Sequence, residues 1–489
     1  MNTVRPRLTE FFKHDGIELR FFLILSVIFG LIFLIFIPPM QGPDEPNHFL
    51  RVTQLAEGNL LSDEVANSTG GFMPVLKTFD KNVGGMVPDG FLKLAHYRYD
   101  DFHGATDRSY SPFDIAIMKD IRNTGERVPA AFGNTAAYSP VAYIPSLISV
   151  WIGNLFHATP LVLFYLARLG GLIAGIALLA LAIRITPIGK LPMAIIALLP
   201  MTIAQISTIS ADTMTIGLSF LALAFTLKLS LSKQFPSKWQ VVGLLALFTF
   251  VGLAKPSLLP LALLALFLLL NPAIRAQKYK ILPIVTAAVT IIPALIWNNI
   301  VKAASEIGYA GSYPGSSYVG NVEFLKHNFL EIPSIVFQSF FNTSFQVRIP
   351  TGFIGNVGWQ DTPLLSTFVI VGYIILFLAI FVSTTGKYVL PVWAKILSFC
   401  IGAGIILVSL ASMYLLTAVP GSPFVDGLQG RYFLPAAPFF ALAFIRTKPV
   451  MKPEFTKVVG RRILITTSLL LIVMTILIIQ RYWIEGYSI

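Results

Sequence analysis

The sequence predicts an all-α polytopic membrane protein, and three observations predict it. The chain of 489 residues is 55% apolar and only 12% charged, against about 25% charged in an ordinary soluble domain. Its mean hydropathy is +0.74, more apolar surface than a soluble core absorbs. Its apolar runs recur at lengths that suit membrane helices, and basic residues gather in short loops between them. The net charge of +12 therefore reads as topology, and no nucleic-acid partner is expected. The single cysteine, Cys400, lies inside an apolar run, so neither a disulfide framework nor a cysteine metal site is available.

Phe21 to Ile37 is an apolar run behind Arg5, Arg7, Lys13 and Arg20. It ends at Pro38-Pro39-Met40 with no small-residue cleavage pattern, so it reads as a retained first membrane helix. Further spans are expected near 160–183, 191–207, 212–230, 239–254, 256–270, 281–298, 364–382, 392–417, 433–446 and 463–480, about 11 transmembrane helices in all. The segment 138–156 is apolar enough to cross but carries Pro140 and Pro145. Charge decides its placement. As an interfacial or re-entrant helix, it leaves five basic loops on the side of the N-terminus: Arg184/Lys190, Lys228/Lys233/Lys238, Arg275/Lys278/Lys280, Lys387/Lys395, and the six cations from Arg446 to Arg462. As a span, it would turn four of those five outward, against the positive-inside rule. The expected topology is one integral membrane domain over 1–489, N-terminus cytoplasmic and C-terminus outside.

That topology places two long polar stretches outside. The first extracytoplasmic loop, 38–137, carries 13 acidic and 9 basic residues and turn formers at Gly70-Gly71, Gly84-Gly85 and Pro88-Asp89-Gly90. The second, 299–363, is rich in Gly, Ser and Tyr, with Pro314-Gly315 and a short helix expected around Pro333 to Phe345. Loops of this length are usually functional.

The strongest local signal is Pro43-Asp44-Glu45-Pro46-Asn47-His48-Phe49-Leu50-Arg51. Pro46 suits a first helical turn with Asp44 or Glu45 near the cap, and Gly58 suits the stop after Glu57. Helical spacing puts Asp44, His48 and Arg51 near one face. The motif reads either as a capped, solvated helix or as an acidic pair held at the membrane surface beside a base and a cation. Asp212, in Ser210-Ala211-Asp212-Thr213, starts a span on the same side, as an N-cap or as a functional acid next to hydrocarbon. Lys255, before Pro256, and Arg431, in Gly427-Leu428-Gln429-Gly430-Arg431-Tyr432-Phe433, are outward cations. They either snorkel to headgroups or bind an anion. The glycines around Leu428-Gln429 would let backbone approach a ligand. The six histidines show no metal spacing on one helix. His96 and His103, beside Asp100, Asp101 and Asp107, form a loop that reads as solvated or as a metal holder. Trp151, Trp297 and Trp483 near span ends fit an interfacial belt.

An acidic Asp44-Glu45 pair just after the first span resembles the GT-C class of membrane glycosyltransferases, which use lipid-linked sugars on the outer membrane face. Residues 43–49 with Glu57-Gly58, and Gly-Leu-Gln-Gly-Arg-Tyr-Phe-Leu-Pro at 427–435, resemble the opening and late motifs of a bacterial predicted-membrane-protein family of that clan (domain of unknown function 2142). Ala136 to Tyr143 is similar to the proline-bearing segment before the GT-C interfacial helix, Ser210-Ala211-Asp212 to the second acidic loop, and Leu253 to Pro256 to the lysine-bearing link. The resemblance implies a GT-C-like fold in the bacterial cytoplasmic (inner) membrane, with an extracytoplasmic active site. It implies an inverting transfer of a sugar from a polyprenyl-phosphate donor to a glycan or glycolipid acceptor, within cell-envelope biogenesis. Asp44 would be the general base, its pKa raised by partial burial, and Glu45 its partner or the acceptor's. Arg431, Lys255, Gln429 and Tyr432 would bind the donor phosphate, and His48, Arg51, Asp212 and Tyr138 the sugar or acceptor. Asp212 stands alone where metal-dependent oligosaccharyltransferases carry an acidic pair. A divalent cation stays an option and no metal ligand set is assigned. Partners are the lipid donor, the acceptor and membrane lipids. The alternative is a transporter or flippase of lipid-linked sugars or polysaccharide, which would need ionisable groups near the bilayer midplane.

Overall fold

The computed structural model describes residues 16–65, 82–98, 102, 105–276, 279–312, 315–341, 343–425 and 427–484. Arg5, Arg7, Lys13, Gly70-Gly71, Asp100, Asp101, His103, Lys278 and Pro314 lie outside the described residues. Helices dominate, as the composition predicts. Among the described residues six are long and apolar enough to cross a membrane: Ile17–Phe36, Pro160–Ile185, Asp212–Ser230, Ile281–Ile300, Val392–Thr417 and Pro453–Ile484. The helix pair Lys190–Ala197 and Pro200–Ser207 is apolar enough to count as a seventh if taken as one span, but it is bent by 59°, where Pro200 removes a donor N–H and ends the first half. Other expected spans are shorter. Lys238–Ala254 and Ser366–Val382 are 17-residue helices. Pro256–Leu270 is a 3₁₀ helix of 15 residues with Pro260 inside it. The expected span 433–446 is reduced to the 8-residue helix Ala437–Phe444, about 12 Å long.

The segment 138–156 forms a 3₁₀ turn, Pro140–Tyr143, and the helix Ile144–Leu155, which packs against Pro160–Ile185 and Glu45–Ala56. Pro145 sits in its first turn, where a missing N–H costs nothing. The 38–137 loop holds a three-stranded antiparallel sheet, β1 Asp63–Val65, β2 Asn82–Pro88 and β3 Arg127–Ala131, in that order. Gly84-Gly85, expected in a turn, lie inside β2. A Cβ on Gly84 would stand 1.8 Å from the Ala130 carbonyl oxygen, so the glycine serves a close approach of strands. The Gln54 amide donates to the carbonyls of Leu61 and Gly84 at 3.1 Å each and ties the sheet to the 45–56 helix. In the second loop, the short helix expected around Pro333 to Phe345 is Ile332–Phe341, and a separate helix, Thr343–Ile354, begins before Phe345.

Side-chain hydrogen bonds pin these loops to the spans. Trp151 donates to Ala56 O at 2.8 Å, Trp297 to Ala137 O at 2.9 Å and Trp483 to Phe36 O at 2.7 Å. Arg481, fully buried, donates to Asp361 at 2.9 Å and to the carbonyls of Ala105 and Arg108. It joins the last helix to both loops. The tightest junction involves Arg168, an arginine inside the Pro160–Ile185 span. It is fully buried and donates to the carbonyls of Leu34, Ile37 and Pro38 at 2.6–2.9 Å, satisfying groups that the end of the first span leaves without partners. Its other donors grip both oxygens of Glu45 at 2.7 and 2.6 Å. Removing one member of a buried pair leaves a lone buried charge and typically costs about 3–5 kcal/mol. Arg168→Met should therefore lower the Tm in detergent sharply, and Arg168→Met combined with Glu45→Leu should recover part of that loss. An unchanged Tm in the single variant would contradict this role.

Candidate functional site

Asp44 begins the site. It is the N-cap of Glu45–Ala56, yet its side chain caps nothing. Its backbone is left-handed, φ 56° and ψ 14°, a conformation that Asp tolerates better than most residues. This turns the carboxylate away from the helix. One oxygen accepts from Asn134 at 3.1 Å and the other from Arg431 at 2.9 Å. The side chain is 32% exposed and borders a cavity of about 410 Å³.

Arg431 sits in the 3₁₀ turn Gly430–Phe433 and is only 3% exposed. Its Nε lies 3.8 Å from the Asp212 carboxylate. Nε and Nη1 have no hydrogen-bond partner, so the guanidinium keeps donors in reserve while Nη2 holds Asp44. Asp212 opens the Asp212–Ser230 helix and accepts from Lys255 at 2.9 Å. The Lys255 ammonium also lies over the Tyr432 ring at 4.9 Å and the Tyr138 ring at 5.7 Å. Burial works against that charge, but Asp212 and the two phenols outweigh it and hold the Lys255 pKa above its ordinary value. Two carboxylates and two cations thus form one connected network, with Asp44, Lys255 and Tyr432 on the cavity wall.

His48 lines the same cavity one turn after Asp44. Its Nδ1 is 2.7 Å from the Tyr143 hydroxyl, and its ring stacks on Tyr138 with centroids 6.0 Å apart. Burial pushes its pKa down to about 4, against the opposing pull of Asp44 and Asp212. It is neutral at pH 7. Gln429 completes the wall, with a buried side-chain oxygen that has no partner. The far wall comes from Asn298, Lys302 and Glu306 and from Ser409, Ser412 and Leu416 of the Val392–Thr417 helix. The cavity therefore joins the Asp44–Lys255 network to further polar groups, with Met413, Leu415 and Leu416 as its apolar share.

Two expected site residues point elsewhere. Glu45 is fully buried and outside the cavity. Besides Arg168 it accepts from the backbone N–H groups of Gly42 and Ile209 at 2.9 Å each. It positions the loops that carry Asp44 and Asp212 and cannot reach a ligand. Arg51 is fully buried as well, donating to Gln54, to Ser62 at 3.1 Å, and to the carbonyls of Leu60 at 2.8 Å and Tyr138 at 3.2 Å. Its long side chain leaves the Asp44–His48 face to satisfy loop carbonyls. Gly430 faces no ligand either. A Cβ there would meet Ile349 O at 2.2 Å and Phe353 N at 2.3 Å, so it allows the Thr343–Ile354 helix to pack close. Gly427, with φ +85°, does line the cavity. Among the described residues no group of three or more His, Cys, Asp or Glu could hold a metal ion.

Sequence reasoning missed Arg168, Asn134 and Glu306. Arg168 had a signal, a lone ionisable residue within an apolar span. Glu306 had none. It borders the cavity on the Lys302–Ser312 helix, with one carboxylate oxygen buried and unpartnered. Gly133 and Gly308 bring that helix against Gly133–Ala136, since a Cβ on either would stand 2.5–2.7 Å from the other's backbone.

Because the folded His48 pKa lies below its ordinary 6.5, the unfolded state binds more protons between about pH 4 and 6.5. Stability should fall as pH drops through that window, by on the order of 3 kcal/mol from this group. His48→Gln should flatten that part of the stability profile. An unaltered profile would place the titration elsewhere.

No curated protein and no solved structure matches the chain. The model of one family matches residues 27–440, from the first span through the Arg431 turn. The chain belongs to that family, the predicted membrane proteins of DUF2142.

Proposed function

We propose that this protein is an inverting GT-C-type glycosyltransferase that moves a sugar from a polyprenyl-phosphate donor to a glycan or glycolipid acceptor outside the cytoplasm. One observation carries the reading: Asp44, Arg431, Asp212 and Lys255 meet in a single network beside a cavity whose lining also includes the apolar Met413, Leu415 and Leu416. An amphiphilic donor fits such a cavity, phosphate at the charged end and chain along Met413 and Leu416. Arg431 stands behind the wall, holding Asp44 on Nη2 with Nε 3.8 Å from Asp212, and so sets a fixed positive charge next to the phosphate end of the cavity.

In this reading the acceptor hydroxyl oxygen attacks the anomeric carbon as Asp44 takes its proton. The bond from that carbon to the phosphate oxygen breaks, and polyprenyl phosphate leaves with the bonding electrons. Arg431 and Lys255 stabilise the charge that develops there. Neutral His48 offers the sugar a hydrogen bond, Tyr138 a ring face, and Asp212 keeps Lys255 placed. A single displacement inverts the anomeric configuration.

The proposed topology keeps eleven crossings. The seven apolar crossings are joined by Lys238–Ala254, Pro256–Leu270, Ser366–Val382 and the broken segment 430–444. A 15-residue 3₁₀ helix is about 30 Å long, the thickness of a hydrocarbon core. The basic loops lie at the end of the bundle away from Asp44, which supports a cytoplasmic N-terminus and an outward cavity in a bacterial inner membrane. Ile144–Leu155 then lies at the outer interface.

Asp44→Asn should abolish transfer of radiolabelled sugar while leaving folding and membrane insertion intact, and Arg431→Lys should lose at least about tenfold, since one ammonium cannot bridge Asp44 and Asp212 as the guanidinium does. Full activity in Asp44→Asn would defeat the assignment. Counterflow of a lipid-linked sugar in proteoliposomes without a covalent product would favour the transporter.

A further inference from the structure

The end of the bundle remote from Asp44 holds a second, larger cavity of about 1170 Å³. The Asp212–Ser230 helix links the two: Asp212 belongs to the first network and Lys228 lines the second cavity. The helical rise separates them by about 24 Å, close to one hydrocarbon thickness.

Six cations from distant parts of the chain line this cavity: Arg184, Lys190, Lys228, Lys387, Lys457 and Arg461. Glu18 is the one acid on the described lining. The positive-inside rule accounts for basic residues at this end. It does not require them to converge on one concavity, and Arg275, Lys280 and Lys448 at the same end stay off it. Gathering like charges is unfavourable unless an anion joins them. Two local features are suited to one. Gly189, φ 73°, opens the Lys190–Ala197 helix without a side-chain cap, so the first N–H groups of that helix meet the cavity beside Lys190. Thr385 also lines it. That residue is 1% exposed, and its hydroxyl has no hydrogen-bond partner. Ile188, Leu191, Val382 and Leu464 give the same cavity an apolar share.

We infer that this basic cavity binds a phosphate-bearing anion, the headgroup of an anionic lipid or a free phosphate compound, at the face opposite the Asp44 cavity. The inference rests on the second cavity alone and is independent of glycosyl transfer.

The test uses the full chain in phosphatidylcholine nanodiscs, with binding read by native mass spectrometry and by thermal shift. One arm titrates phosphatidylglycerol and the other inorganic pyrophosphate. At least one probe should bind saturably. Saturation by the lipid alone identifies a headgroup site, and saturation by pyrophosphate identifies a soluble anion. The triple variant R184Q/K228Q/K457Q should weaken that binding by at least about tenfold, since each cation near an anionic group contributes about 1 kcal/mol. The triple variant R275Q/K280Q/K448Q removes the same charge from the same face and should change it less than about twofold. Thr385→Val, which leaves every charge in place, should weaken it measurably. Equal weakening by the two triples would show that the face binds through net charge alone and would overturn the inference. So would an absence of saturable binding by either probe.

Discussion

The Glu45–Arg168 pair is the constraint on which the site depends. A carboxylate and a guanidinium, both fully buried, are costly to take out of water and persist only when every lone pair and donor finds a partner. Here they do. Arg168 closes the end of the first span, and Glu45 takes the backbone N–H groups of Gly42 and Ile209 in addition. One ion pair therefore fixes the exit of the first span, the start of the 45–56 helix and the link that leads to Asp212. With Glu45 locked inward, its neighbour Asp44 is forced into a left-handed conformation that turns its carboxylate into the cavity. Two adjacent acids divide two tasks, one holding the scaffold and one facing the cavity.

Arg431 closes the circuit from the other end of the chain. It reaches Asp44 across 387 positions of sequence and lies between Asp44 and Asp212, so each acid has a cation beside it. The buried, neutral His48 adds a polar group without adding charge. Such a preorganised set of charges is suited to stabilising charge that appears elsewhere, on a departing group, because little reorganisation is needed as it develops.

Much of this was legible in the residues. Composition and charge placement gave the membrane class and the basic end of the bundle. Pro46 and Gly58 marked the 45–56 helix, and Lys255 and Arg431 were conspicuous because, placed outside by the expected topology, they broke a charge rule. What stayed hidden depended on three-dimensional choices that spacing does not encode. Asp44 and Glu45 look equivalent in sequence, and only the position of Arg168 decides which one turns inward. Arg51 shares a helix face with His48, yet its length lets it reach the carbonyls of Leu60 and Tyr138 instead. The segment expected as a span at 433–446 is broken into a 3₁₀ turn and a short helix, because Gly430 packs its turn against a neighbouring helix. The sheet in the first loop stayed hidden because its strands come from segments far apart in sequence.

The account stands on the cavity being a site of group transfer. The most direct measurement incubates the purified protein with a panel of polyprenyl-phosphate sugars and candidate acceptors and reads the products by mass spectrometry. The account predicts a glycosylated acceptor together with released polyprenyl phosphate, the new linkage carrying the anomeric configuration opposite to that of the donor. Donor binding without any covalent product across the panel, or a product of retained configuration, would contradict it.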